Sequence, residues 1–178
     1  MGRSKTTPTR SPKNGKAKPA FPPSRIPESD KPAVPRRLQS VHTDGTNNDQ
    51  RKPVWRLSLL DRDHDGSWSW AIDGATLLTI VDFLRDMEKL TWKEIKLQQA
   101  ATSRKVRARH HGQAVETLCQ EARDRLNELG LDDCDELFRF RVKDQKGRLW
   151  GILSNESPRV FYPIWWDAEH EVYPVDKN

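Results

Sequence analysis

Hydrophobic and polar residues alternate most clearly near the end of the chain, where they predict three β-strands. In residues 137–143, apolar side chains alternate with basic ones, namely Phe138, Phe140 and Val142 with Arg139, Arg141 and Lys143. Successive side chains of a strand point to opposite faces, so this strand should have one apolar and one basic face. Residues 148–153 follow a short polar connection and predict the second strand of a hairpin.

The third predicted strand, residues 159–166, is almost entirely apolar or aromatic. Such a composition is typical of a central strand that is covered on both faces. Pro163 lies inside it, and a proline cannot donate a ladder hydrogen bond. We therefore expect a bulge or another irregularity at that position.

Apolar residues at helical spacing predict two or three helices ahead of these strands. Residues 74–90 form the first, with Asp73 as its N-cap. Residues 91–94, Thr-Trp-Lys-Glu, have the form of a capping box, so a short second helix should begin there. Residues 113–129 predict a third helix, and Gly130 is placed as a left-handed stop.

Two further alternating segments, residues 54–60 and 67–72, predict an extended or hairpin pair of strands around an acidic turn. The turn, residues 61–66, has aspartates at its first, third and fifth positions and glycine at its sixth, as a calcium-binding EF-hand loop does. Ile72 stands where that loop requires glutamate, so a polar turn is favoured over a cation site.

The order of these predicted strands and helices along the chain predicts an α+β fold, with two or three helices on a mainly antiparallel sheet.

Charge divides the chain into two parts. Residues 1–53 contain 12 Lys and Arg against 4 Asp and Glu, and nine of the twelve prolines, whereas residues 54–178 contain 19 and 22. Scattered apolar residues cannot offset the entropy lost on ordering such a segment. We therefore predict a disordered, basic, Pro-rich tail over residues 1–53 and a single α+β domain over residues 54–178.

Composition also argues against several classes of protein. No apolar run approaches the roughly 20 residues that span a bilayer. The two cysteines have neither metal-site nor disulfide spacing, which favours a cytoplasmic location. Glycine-rich phosphate loops, nucleophile elbows and zinc motifs are also missing, so we expect no cofactor, no metal site and no membrane partner.

A basic segment after the second predicted helix is the first candidate for binding nucleic acid. It contains Arg104, Lys105, Arg107 and Arg109, and Arg139 from the first strand joins this candidate set. Cations that neutralise phosphates gain free energy from counterion release. The alternative is a solvated loop or a frayed helix end. The adjacent His110 and His111 should point in different directions, which disfavours a shared metal.

The end of the chain resembles a widespread family of small, uncharacterised bacterial proteins. The resemblance rests on Arg-Leu-Trp-Gly at 148–151 and on Trp-Trp-Asp-Ala-Glu-His-Glu-Val-Tyr-Pro at 165–174. It extends back through residues 91–95, 110–111 and 121–126. The resemblance covers most of the predicted domain and implies no particular activity.

More distantly, helices followed by basic antiparallel strands that end in His and Tyr are similar to RelE/ParE-type bacterial toxins, many of which cut messenger RNA on the ribosome. This resemblance implies a metal-independent endoribonuclease. Arg139, Arg141 and Arg148 would bind phosphate, while His170 and Tyr173 would transfer protons. Each of these residues also has a structural alternative, because arginines on an exposed sheet face commonly serve solubility.

Three functional hypotheses follow from the sequence. The first is a nucleic-acid-binding protein that uses its basic tail and basic segment. The second is a toxin-like endoribonuclease with Arg141, Arg148, His170 and Tyr173 as catalytic residues, and the third is a non-catalytic adaptor with an aromatic docking surface. RNA or the ribosome, and a small protein partner, are the partners that these hypotheses imply.

Overall fold

The computed structural model of this chain describes residues 48–101, 106–142 and 146–174. Five strands form the main sheet, namely β1 (Val54–Trp55), β4 (His111–Ala114), β5 (Glu136–Arg141), β6 (Arg148–Leu153) and β7 (Val160–Asp167). Their order across the sheet is β1-β7-β6-β5-β4, with β1 parallel to β7 and every other pair antiparallel. A separate hairpin joins β2 (Gln99–Ala101) and β3 (Val106–Ala108). The predicted α+β fold is confirmed.

Three helices pack with this sheet, and each begins or ends where local chemistry requires. Helix α1 (Gly74–Met87) is capped by Asp73, whose side chain accepts a hydrogen bond from the Thr76 N–H at 2.8 Å. Helix α2 (Trp92–Leu97) starts with the predicted capping box, in which Thr91 and Glu94 each bind the other's backbone N–H. Helix α3 (Gln120–Glu128) is followed by Gly130 at φ 67°, the predicted left-handed stop.

The two faces of the sheet bury different side chains. One face, here called the aromatic face, carries Phe138, Phe140, Leu149, Phe161 and Trp166 against α1 and α2. The opposite face carries Leu137, Trp150, Ile164 and Trp165 against α3. Because β5 alternates, the same opposite face also carries Arg139 and Arg141. We call it the pocket face.

Strand β7 lies between β1 and β6, and it has an irregularity next to Pro163, as the sequence predicted. Trp150 pairs with Trp165 but Gly151 pairs with Pro163, so Ile164 is an extra residue in β7. Gly151 permits this bulge, because a Cβ there would lie 2.2 Å from the Tyr162 carbonyl oxygen. The bulge restores alternation afterwards, and Trp165 and Trp166 therefore enter the cores on opposite faces.

The predicted strand over residues 54–60 is wrong beyond Trp55. The parallel ladder with β7 ends after the Arg56 N–H bonds the Phe161 carbonyl, and residues 57–59 form a 3-10 turn. Pro163 has no N–H to continue the ladder. The chain returns to β7 only where the Asp61 N–H bonds the Ile164 carbonyl.

The predicted strand over residues 67–72 is also wrong. Trp68 packs in the core of the pocket face, while Trp70 packs against the aromatic face and donates from Nε1 to the Ile164 carbonyl at 2.7 Å. The alternating residues therefore place one tryptophan in each core, and the backbone of this segment forms no strand.

The predicted third helix over residues 113–129 begins too early. Its first residues continue β4 and a 3-10 turn at Val115–Thr117, and α3 starts at Gln120. The basic segment, predicted as a loop or frayed helix, contributes β3 and leads into β4. Arg104 and Lys105 lie outside the described residues.

The predicted tail, residues 1–53, lies outside the described part of the chain except for its last six residues. This short segment contacts the domain through specific bonds. Asp49 forms ion pairs with Lys96 at 2.8 Å and with Arg159 at 2.9 Å, and the Trp92 N–H bonds the Arg51 carbonyl. The folded part therefore begins before residue 54.

The acidic turn is anchored by its first residue. Asp61 is buried, and its two oxygens accept from Arg125 of α3 at 2.7 and 2.8 Å. The Trp165 indole N–H also donates to Asp61 at 2.9 Å. Its carboxylate holds the turn against α3.

Among the described residues, no helix is long and apolar enough to cross a membrane.

Candidate functional site

Five arginines line one pocket of about 530 Å³ on the pocket face. They come from β3 and the residue after it (Arg107 and Arg109), from β5 (Arg139 and Arg141) and from β6 (Arg148). His111, Gln113, His170 and Tyr173 complete its polar lining. We call this site the arginine pocket.

Strand register explains why the arginines meet. Arg141 of β5 stands directly opposite Arg148 of β6, and Arg148 in turn stands opposite Asp167 of β7. Like charges placed opposite each other on neighbouring strands are destabilising. The fold therefore accepts an unfavourable arrangement at this end of the sheet.

The charge in the pocket is partly desolvated, and the charged side chains among its described lining residues are basic. Arg148 is only 7% exposed, and its burial, together with Arg139 and Arg141 nearby, lowers its pKa to about 10. Burial also lowers the pKa of Arg139. Among the described residues that line the pocket there is no Asp or Glu. Such a concentration of cations favours an anion, because a negative ligand charge would offset the repulsion among the arginines.

Asp167 is the nearest acid, and most of its hydrogen-bonding capacity is used locally. It is 1% exposed and accepts from the Trp150 indole at 3.2 Å and from the backbone N–H groups of Glu171 and Val172 at 2.9 and 3.1 Å. These bonds fix the loop after β7, which carries His170 and Tyr173 into the pocket. Asp167 thus shapes the site and offsets one of its positive charges.

Arg139 is held by two histidines. Its Nη2 donates to Nε2 of His111 at 2.8 Å, and its Nη1 donates to Nε2 of His170 at 3.2 Å. Arginine has only donors, so both Nε2 atoms must be acceptors. The protons then lie on Nδ1, where His111 donates to the Gly112 carbonyl and His170 to the Tyr173 carbonyl, both at 2.8 Å.

Both histidines are neutral in this arrangement. Burial lowers the pKa of His111 and of His170, and neighbouring arginines act in the same direction. His170 also has φ 69°. This left-handed conformation costs a non-glycine residue roughly 1–2 kcal/mol. Strain of this kind is found at functional sites, where surrounding contacts impose it.

Aromatic rings contact the Arg139 guanidinium. Its Cζ lies 5.7 Å from the ring centroid of Trp150 and 5.7 Å from that of Tyr173. Together with the two histidines, these rings fix the orientation of Arg139. Its Nε is buried and has no hydrogen-bond partner among the described residues.

The structure brings together most of the residues that the sequence singled out. The four predicted catalytic residues, Arg141, Arg148, His170 and Tyr173, share the pocket with Arg107, Arg109 and Arg139. Sequence reasoning missed His111 as a pocket residue, because residues from 113 onward were interpreted as a helix. The register of β4 with β5, which pairs His111 with Arg139, is the signal that was needed.

His110 is used differently from its neighbour, as the alternation predicted. It is 1% exposed, and its Nδ1 accepts from the Arg141 backbone N–H at 3.0 Å while Nε2 bonds the Gln98 side-chain oxygen at 3.2 Å. Its ring packs beside Phe83 and Phe140 on the aromatic face. Burial first, then Arg109, His111 and other nearby cations, lowers its pKa to about 3.

A second pocket of about 500 Å³ is lined by residues of β4, β5 and β6, and it contains both acidic and basic side chains. It contains Lys96 and Arg159, but both are paired with Asp49, and Asp135 and Glu136 also line it. No group of three or more potential metal ligands exists among the described residues. The arginine pocket is therefore the better candidate site.

Comparison of the chain with protein-family models, with curated proteins and with solved structures finds no match.

Proposed function

We propose that this protein binds nucleic acid, and that the arginine pocket holds phosphate groups of the bound strand. The observation that carries the proposal is the convergence of five arginines on one pocket, with no acidic side chain among the described residues that line it. Guanidinium groups bind phosphate oxygens through paired, charge-assisted hydrogen bonds. A positively charged concave site of this kind also raises the rate of encounter with a polyanion.

The position of the arginines on regular strands strengthens the proposal. Arg139, Arg141 and Arg148 project from β5 and β6, which are both interior strands of the sheet, so their backbones are fixed. Exposed arginines that serve solubility have no reason to be buried next to each other. Arg148, at 7% exposure, loses solvation close to Arg139 and Arg141, and phosphate binding supplies a reason to keep these cations together.

The test is binding of single-stranded RNA and DNA by the full-length protein, measured by fluorescence anisotropy between about 50 and 200 mM salt. We expect affinity to fall steeply as salt rises. Arg141→Gln should weaken binding about tenfold and reduce the salt slope by about one phosphate contact. Arg62→Gln, which changes an exposed arginine of the acidic turn, is the matched control and should bind like the original protein.

Two results would contradict this proposal. One is the absence of binding at the lowest salt concentration. The other is equal loss of affinity in Arg141→Gln and Arg62→Gln, because a general effect of net charge would then explain the binding.

RNA cleavage is a second candidate, and one observation favours it. Nε2 of His111 and Nε2 of His170 both lie in the pocket beside phosphate-binding cations. Each accepts from Arg139, so proton transfer requires Arg139 to turn toward the substrate and release them. Analysis of the RNA products after incubation with the protein distinguishes cleavage from binding alone. If the protein cleaves RNA, His170→Asn should abolish the cleavage. RNA that stays intact with the original protein would refute this hypothesis.

A further inference from the structure

We infer that the second pocket binds a segment of the same chain, residues 34–38, and that Arg36 and Arg37 of this segment pair with Asp135 and Glu136. The segment precedes the described residues. The inference does not depend on nucleic-acid binding. It follows from the acids of the pocket, from the place where the preceding chain joins the domain, and from the sequence of that chain.

Acidic side chains without ion-pair partners lie on one side of the second pocket. Asp135 and Glu136 belong to its lining, and two more acids, Asp132 and Asp133, come just before them in the chain. None of the four forms an ion pair with another described residue, whereas both cations that line the pocket are paired with Asp49. The pocket therefore offers negative charge to a ligand.

The lining of the pocket suits a peptide better than a metal ion. The described part of the chain holds no group of three or more residues that could bind a metal. Beside the acids, the apolar side chains of Phe138, Ile152 and Leu153 line the pocket. A segment that carries both basic and apolar side chains matches this mixture.

The preceding chain joins the domain at the rim of this pocket. Asn48 donates from Nδ2 to the Glu156 carbonyl at 3.0 Å, next to Asn155 of the lining. Two buried atoms at this junction, Oδ1 of Asn48 and Nε of Arg159, have no hydrogen-bond partner among the described residues. Because buried polar atoms are costly to leave unpaired, we expect groups from residues before 48 to lie beside them.

Residues 34–38, Val-Pro-Arg-Arg-Leu, have the composition that the pocket fits. Each arginine can bind a carboxylate through two parallel hydrogen bonds. Val34 and Leu38 flank the arginines and match the apolar lining. Ten residues separate Arg37 from Asn48, and an extended chain of that length spans about 35 Å, so the arginines can reach the acids.

Docking requires no core within the segment. A basic, Pro-rich segment cannot bury enough apolar surface to fold alone, but it can become ordered on a preformed pocket. The short tether gives the segment an effective concentration on the order of millimolar, so pairs of modest strength suffice. This favours the chain's own segment over a separate peptide of similar composition.

Amide hydrogen exchange of the full-length protein at about 50 mM salt tests the inference, with mass spectrometry of peptides that cover residues 33–41. We expect these amides to exchange about tenfold more slowly than those of a synthetic peptide of the same sequence, because docking closes them for most of the time. Arg36→Glu with Arg37→Glu should return them to the rate of the matching synthetic peptide. Lys16→Glu with Lys18→Glu makes the same change of net charge elsewhere in the tail, and this control should keep the protection.

Exchange of the charges identifies the surface. Asp135→Lys with Glu136→Lys should remove the protection, and combining these changes with Arg36→Glu and Arg37→Glu should restore it, because the ion pairs are then reversed. A denaturation curve establishes that each variant is folded. Should the lysine variants not fold, Asp135→Asn with Glu136→Gln takes their place and should reduce the protection.

Exchange of residues 33–41 at the rate of the synthetic peptide in the original protein would overturn the inference. Protection that survives either the glutamate or the lysine pair of changes would do the same. Protection that rises with protein concentration would show that the segment occupies the pocket of a second copy, and it would also contradict docking within one chain.

Discussion

The two faces of the sheet differ most within a single strand, β5. Phe138 and Phe140 point into the aromatic face and are 4% and 0% exposed, whereas Arg139 and Arg141 point into the arginine pocket and are half-buried. The first face gains stability from burial of apolar surface. The pocket face instead places Arg141 opposite Arg148, and the pKa of Arg148 is lowered there. One strand therefore supplies the core with one set of side chains and the arginine pocket with the other.

Replacing a ring of the aromatic face should have the largest effect on stability. Phe140 contacts the rings of Trp55, Phe83, Trp92 and Phe161, among others. Phe140→Ala leaves a cavity in this cluster, and we expect the free energy of unfolding to fall by about 3–5 kcal/mol. Urea denaturation measures this. Arg141 is the next residue in β5 and lies on the other face, so Arg141→Ala should change the free energy of unfolding by less than about 1 kcal/mol. A loss as large as that of Phe140→Ala would show that the arginine side of the strand contributes as much stability as the aromatic side.

Acid should destabilise the protein through the buried His110. The folded state resists protonation of His110 down to about pH 3, whereas the unfolded state takes up the proton near its ordinary pKa of 6.5. Stability is therefore present above pH 6.5 and is lost as pH falls below it. One such proton gives a slope of about 1.4 kcal/mol per pH unit.

Denaturation curves from pH 7 down to about pH 4.5 measure this slope, in a range where carboxylates are still largely ionised. His110→Asn keeps an acceptor near the Arg141 N–H but cannot titrate, so its slope should be smaller by about one proton. His111 and His170, whose pKa values burial also lowers, add to the remaining slope. An unchanged slope in His110→Asn would contradict the assignment.

Removing the buried cation of the pocket should have the smallest effect on stability. Arg148→Met keeps much of the side-chain volume and removes a desolvated charge next to Arg139 and Arg141, but it also removes the cation opposite the buried Asp167. We expect the free energy of unfolding to change by less than about 1 kcal/mol, because the relief of repulsion among the arginines offsets the charge lost beside Asp167. Nucleic-acid binding should weaken in the same variant. A large loss of stability would instead show that Arg148 serves the fold.

Local patterns predicted the secondary structure that depends on local chemistry. Asp73, the capping box at Thr91, Gly130 and the alternation of β5 all behave as their sequences indicate. Errors occurred where partners distant in sequence decide the structure. Trp68 and Trp70 alternate like strand residues, yet they are placed by two different cores.

The candidate site was predictable in its residues but not in its assembly. Alternation in β5 identified Arg139 and Arg141, and the ending of the chain drew attention to His170 and Tyr173. That Arg107 and Arg109 join them follows from the positions of β3 and β4, which helical spacing after residue 113 concealed. The tautomers of His111 and His170 depend on Arg139, a contact that only the fold creates.

Arginine side-chain NMR during titration with a single-stranded oligonucleotide tests the central claim most directly. The Nε resonances of Arg139, Arg141 and Arg148 should shift together and saturate at one concentration of strand, while that of the exposed Arg85 on α1 should stay in place. Binding that saturates without shifting any of the three pocket arginines would contradict the account.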